Sequence, residues 1–294
     1  MTKPSRSLWY DSFLRLNNNK GAMVSLYFIV IVCTLASFAS FISPYTFDEQ
    51  NMAAIYNGPS WVYWFGTDGL GRDLLSRLIY GARMSMAVGI LTALISMIFG
   101  TIYGCISGWV GGKTDAVMMR IIDILMSFPS LILMILVKVI FDSVELVTNP
   151  ELRALTSMLI ALSVVGWVTL ARVVRGQVLQ VKELTYIEAA QALGTPTPRI
   201  LIRYILPNIL GPIIVLLTFQ IPSNILYESF LSFIGLGLQP PYSSWGVLVK
   251  DGYSAFGAYP YLIFPPAIML FVTMLAFNLF GDGLRDAFDP KIRK

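Results

Sequence analysis

Six stretches of this chain run for roughly twenty residues with almost no charge, and few folds can accommodate that. They cover 21–42, 85–110, 121–141, 154–171, 204–227 and 261–280. A bilayer core needs about 20 apolar residues in a helix, because an unpaired backbone group in lipid costs several kcal/mol. The spacing therefore predicts an all-α, polytopic membrane protein with six transmembrane helices. Composition agrees, since 56% of the 294 residues are hydrophobic and 13% charged, against about 25% charged in soluble domains. A soluble enzyme, a disordered chain and a disulfide-stapled module are excluded on this ground.

Charge placement predicts the orientation. With six spans, the termini and the 111–120 and 172–203 connections share one side and hold fifteen of the 21 basic residues. The connections at 43–84, 142–154 and 228–260 hold five, and Lys138 is the remaining one. Both termini are expected in the cytoplasm. The net charge of +4 is then a topology signal, and no nucleic-acid partner is expected. The basic flank before residue 21 resembles a signal peptide, but the apolar run exceeds the usual 7–15 residues; an uncleaved first span is expected.

Several segments resemble chemistry and read better otherwise. Gly111-Gly112-Lys113-Thr114 looks like the end of a phosphate loop, yet Ser107 stands where the first glycine belongs. No nucleotide site is expected on this chain. Ser96, Gly100, Gly104, Gly108 and Gly112 recur every four residues, giving a small-residue face for close helix packing. Two charge pairs are expected near span ends, Arg120 with Asp123 and Lys138 with Asp142. Pro129, Pro212 and Pro222 are expected to interrupt spans three and five. Cys33 and Cys105 read as small hydrophobes rather than a disulfide. With no histidine, and no evident nucleophile–base pair, neither catalysis nor a metal site is expected.

The 172–208 connection is too long for a simple turn. Residues 184–193 are built from helix-compatible types, and Gly194 stands at a C-cap position. Thr197 and Pro198 then supply an N-cap and a first-turn proline for a second short helix reaching Arg203. Such a protrusion either lies in the membrane interface or docks into a groove on a soluble partner.

These residues carry a family resemblance. Glu188-Ala189-Ala190, Gly194 and Leu206-Pro207 resemble the EAA motif of binding-protein-dependent ABC importer permeases, with Tyr204 departing from the usual aliphatic or histidine. The stretches FGTDGLGRDLLSRLIYGARMS (65–85), MMRIIDILMSFP (118–129), ARVVRGQ (171–177), ESFLSFIGLGLQPPYSSWG (228–246) and GDGLRDAFDPK (281–291) are similar to the dipeptide/oligopeptide/nickel branch. Arg6-Ser7-Leu8-Trp9 further resembles the C-type subunit of the oligopeptide members.

The resemblance implies a type I ABC importer permease fold in the bacterial cytoplasmic (inner) membrane. It implies an N-terminal segment with the first span (1–84) and a permease domain (85–294). A homologous B-type permease would complete the pore. Two cytoplasmic ABC ATPases carrying ATP and Mg, an extracytoplasmic peptide-binding protein and a peptide substrate would be the other partners. Glu188, Ala189, Ala190, Gly194, Leu206 and Pro207 would form the ATPase-coupling loop, and no cofactor would sit on this chain. Dipeptide, nickel and opine importers of the same branch remain alternatives, as does a stand-alone secondary transporter or channel. The 228–260 loop would cover the outer mouth, touch the binding protein or act as a plain cap.

Overall fold

The computed structural model describes residues 8–144 and 147–288, and the described chain is almost entirely helical. An N-terminal helix α1 (Leu8–Asn18) leads into α2 (Lys20–Ser37), where Asn19 Oδ1 accepts the Ala22 amide. A break at Phe38 sets off the short α3 (Ala39–Ile42). After a long connection comes α4 (Leu74–Val110), capped by Asp73, whose carboxylate accepts the Ser76 amide at 2.7 Å. This helix begins eleven residues before the expected span and runs through residues 84 and 85 without interruption.

The third apolar stretch is two helices, α5 (Gly112–Ser127) and α6 (Ser130–Ser143), which meet at 92°. The interruption expected at Pro129 is present as a full break, so 121–141 is a bent pair rather than one straight helix. Pro129 has no amide hydrogen, and its ring forces Phe128 into an extended conformation, so the helix cannot continue. Pro212 and Pro222, by contrast, lie inside an unbroken helix.

The fourth span is α7 (Pro150–Lys182), followed by α8 (Thr185–Ala192). The second helix of the protrusion is not separate. The short α9 (Thr197–Ile200) passes through a π turn (Leu201–Ile205) directly into α10 (Leu206–Phe233). Thr197 is its first helical residue, and Pro196 takes the cap position expected of Thr197. Segment 228–260 is likewise no open loop: α10 continues to Phe233, and α11 (Trp245–Ser254) folds back onto the bundle. The last helix is α12 (Phe264–Phe288). Five helical segments are long and apolar enough to cross a bilayer, and the bent α5–α6 pair makes a broken sixth.

Packing follows the small-residue face. Helices α4 and α7 form the most extensive pairing among the described residues. A Cβ on Gly104 would stand 2.5 Å from the Ala171 carbonyl oxygen and 2.7 Å from Val174 Cβ; Gly100 and Gly108 are nearly as tight against Leu170 and Val178. Gly112 lies outside this face: it is open to space, and its φ of +54° serves the turn between α4 and α5. The main buried cluster gathers Ile29, Leu78, Ile225, Trp245 and Phe277 from α2, α4, α10, α11 and α12. A second joins Val174, Val178, Ile187, Ile200 and Ile209 beneath α8. Both cysteine thiols are free.

Candidate functional site

Two built features stand at opposite ends of α4 and α10. The first is α8 and the turn that follows it. Leu193, Gly194 and Thr195 close the helix with bonds from the Gly194 amide to Gln191 O (2.9 Å) and from the Thr195 amide to Ala190 O (3.0 Å). This pattern needs a left-handed residue at 194, and the φ of +74° there suits glycine alone without strain. Ile187 and Ala190 face inward, where Ile187 packs with Val174, Val178 and Ile200. Glu188 and Ala189 are exposed. So is Leu193, at 86%, with Tyr186 and Leu184 partly uncovered beside it. Leu206 and Pro207 open α10 directly after the π segment.

The platform under α8 is held by charge. Arg175 reaches Asp115 with Nε and Nη2, both at 2.5 Å, and Ser107 donates to the same carboxylate. Lys182 donates to Trp109 O at 2.9 Å while lying over the Trp109 ring. These contacts tie the end of α4 and the start of α5 to the end of α7. Asp123 takes part as well, but through Arg172 at 2.7 Å and not through the expected Arg120. Arg172 approaches from the facing helix α7, which the i,i+3 argument on one helix could not anticipate. Lys138 donates to Asp142 and to Ser157 on α7, and is buried to 1% exposure.

The second feature is a polar knot at the other end. The segment 67–73 folds so that Asp68 Oδ1 accepts the amides of Leu70 and Arg72. Asp68 Oδ2 accepts Arg72 Nε at 2.8 Å and Arg77 Nη1 at 2.6 Å. Arg77, 1% exposed, also reaches Asp251 of α11 at 3.1 Å. Burial pushes the Asp73 carboxyl above the usual carboxylate range, while its bonds to Ser76 pull it back. Next to this knot, Trp245 is fully buried, its indole N–H donating to Leu78 O and its amide accepted by Ser85 Oγ. Ser85 and Ser232 donate to the buried carboxylate of Glu228. The connection after α3, the start of α4, the end of α10 and α11 are thereby one body.

Sequence reasoning missed this second feature. The spacing of Asp68, Arg72 and Arg77 places them near one another, but Asp251 lies 174 positions beyond Arg77 and gives no local sign of its role. The Arg6-Ser7 pair and residues 289–291 of the C-terminal stretch lie outside the described residues.

A membrane bundle with a rigid surface helix and an opposite, folded-in cap is a specific architecture. The family described as binding-protein-dependent transport system inner membrane component matches residues 100–294. The chain belongs to that family. A second description, N-terminal TM domain of oligopeptide transport permease C, matches residues 7–59 of this permease. The oligopeptide transport system permease protein OppC of Bacillus subtilis is 44% identical over 294 residues, covering 100% of this chain and 93% of its own. OppC of Escherichia coli K12 is 43% identical, covering 98% and 93%. The dipeptide transport system permease protein DppC of B. subtilis is 43% identical, covering 99% and 88%. Among solved structures, a chain from inward-facing conformations of the MetNI methionine ABC transporter superposes with a TM-score of 0.58 at 17% identity. It covers 73% of this chain and 97% of its own, so the fold is that of an ABC importer permease of type I. The permease is an integral membrane protein.

Proposed function

We propose that this chain is the C-type permease of an ATP-driven, binding-protein-dependent oligopeptide importer in the bacterial inner membrane. It forms half of the pore with a homologous B-type permease, over residues 85–294, while 1–84 supply the first span, the long connection and the first eleven residues of α4. Both termini face the cytoplasm, on the side that carries fifteen of the basic residues. Two ATPases binding ATP and Mg dock at that side, and a peptide-binding protein docks at the other.

One observation carries the reading: α8 is a short, rigid, outward helix whose exposed Leu193, Tyr186 and Glu188 suit a groove, while its far side is fused to α10 through α9. Exposed apolar anchors on a rigid helix are the usual means of helix-in-groove recognition. ATPase closure would push α8, and α10 would turn with it as part of a two-state pore. The peptide substrate is supported by the high identity to oligopeptide permeases over the full chain.

Purification from native membrane and reconstitution tests this. Two ATPases and a second permease should co-purify, and peptide uptake should require ATP and the binding protein. Glu188→Arg combined with Gly194→Val should abolish ATPase association and uptake. An active homo-oligomer without ATPases, or uptake that survives the double substitution, would overturn the reading.

A further inference from the structure

Three cavities along α7 and α10 share lining residues and so run into one another. One, of about 330 Å³, lies against the Phe128–Ser130 break and includes Thr169 and Tyr227. The next, of about 280 Å³, continues from those two residues to Gly166, Gln220 and Ser223. The third, of about 460 Å³, shares Leu216 and Phe219 with the second and ends at Arg285. On α10 the lining positions 212, 216, 219, 220, 223 and 227 recur at helical spacing. They form one face about 22 Å long at ~1.5 Å per residue, most of the thickness of a bilayer core.

The chemistry of this face is distinctive. Thr169, Gln220, Ser223 and Tyr227 are polar and uncharged, and each can both donate and accept a hydrogen bond. Thr169 and Ser223 are exposed within the spans; Ser223 Oγ donates to Phe219 O at 3.0 Å, which leaves its acceptor capacity to the cleft. The one charged lining residue, Arg285, stands at an end. Behind the face, Gly166 leaves room for Gln220 and Ser96, and both Gln220 Nε2 and Ser96 Oγ are buried without a partner. Asn224 differs, since its amide already donates to Gly89 O.

We propose that this face contacts the moving peptide and reads its main chain rather than its side chains. A peptide main chain offers a donor and an acceptor at nearly every residue, which the cleft-lining hydroxyls of Thr169, Ser223 and Tyr227 match at any register. A charge-free middle neither attracts nor rejects acidic or basic side chains, so discrimination among them falls to other components. The inference rests on the importer reading above.

The test is uptake by the reconstituted complex of two peptides of equal length, one carrying Lys and one Glu at its centre. Ser223→Asp should raise the Lys-to-Glu uptake ratio at least tenfold over wild type, and Ser223→Lys should lower it by a similar factor. Should either charged variant fail to assemble, Ser223→Cys in a background with Cys33 and Cys105 replaced supplies the same readout. Modification of that thiol by anionic or cationic reagents should shift the ratio in opposite senses, and excess peptide should slow the modification. An unchanged ratio in assembled, ATP-hydrolysing variants, or with the modified thiol, overturns this proposal while leaving wild-type import intact. Absence of peptide uptake by the wild-type complex overturns the importer reading instead.

Discussion

Replacing Gly104 with alanine should destabilise the bundle, while the same change at Gly176 should not. A Cβ at 104 would stand 2.5 Å from a backbone carbonyl oxygen, 2.7 Å from Val174 Cβ and 2.9 Å from the Arg175 amide nitrogen. Ordinary contact begins near 3.4 Å, so α7 must retreat locally by about 1 Å, and a gap of that size forfeits a quarter to a half of each neighbouring contact's attraction. Backbone atoms cannot swing aside as a flexible side chain does. Overpacking costs about 1–3 kcal/mol, and a clash with backbone belongs to the upper part of that range, about 2–3 kcal/mol; alanine's better helix propensity returns up to ~1 kcal/mol. The net loss is about 1–2 kcal/mol, or roughly a five- to thirtyfold change in the folding equilibrium. Gly176 has nothing within 4 Å of its Cβ, so Gly176→Ala should gain up to ~1 kcal/mol from propensity alone. The two chemically identical changes therefore act with opposite sign. Titration of the full chain with SDS in mixed micelles, followed by tryptophan fluorescence, reads the difference. Equal shifts, or a Gly104→Ala protein as stable as wild type, would refute the argument that close helix approach holds α4 to α7.

The polar knot and the α11 cap give two further expectations. Asp68→Asn should cost about 3–5 kcal/mol, because Arg77 stays buried with its main partner lost. Asp251→Asn should cost under about 1 kcal/mol, since the Asp251 side chain is 42% exposed; protease sensitivity of the 43–73 connection ranks the two, and equal sensitivity would contradict the assignment. Trp245→Ala should cost about 3–5 kcal/mol, whereas Trp245→Phe keeps most of the packing and gives up chiefly the bond to Leu78 O, about 1 kcal/mol. Limited proteolysis of 234–260 should follow that order.

What could be read from the sequence was local and periodic. Apolar runs located the spans, and the glycine period marked Gly100, Gly104 and Gly108. Gly194 identified its own turn, because one left-handed residue is needed there. Pro129 and Pro222 look alike in the sequence, yet the first breaks a helix and the second sits within one. The difference lies in what surrounds them: Pro222 is packed into the α10 interior of the bundle, while Phe128 before Pro129 is exposed and free to extend. Partners far apart in the chain were invisible for the same reason. Arg172 takes Asp123 from a facing helix, and Arg77 joins a residue of α11, and neither pairing leaves a spacing to count. The α11 segment was hidden by Gly235, Gly237, Pro240 and Pro241 just before it, which suggested a loop, although Ser244 caps a helix whose tryptophan fills the core.

The continuity of α9, the π turn and α10 has a mechanical consequence. Thr197–Phe233 is a single helical rod of 37 residues, about 55 Å long at ~1.5 Å per residue. That exceeds the ~30 Å hydrocarbon core, so the rod overhangs the membrane. Were such a rod to pivot about its middle, carrying with it the start of α4 and α11 that are bonded to its far end, it would behave as a first-class lever. A tilt of about 10° would carry each tip of a 55 Å rod some 5 Å in opposite directions. The tip far from the Gly194 turn bears Glu228 and the seat of Trp245, so under such a pivot a displacement of that turn would reach the cap with its sign reversed. One end closing and the other opening would then be the same motion, viewed from the two faces of the membrane.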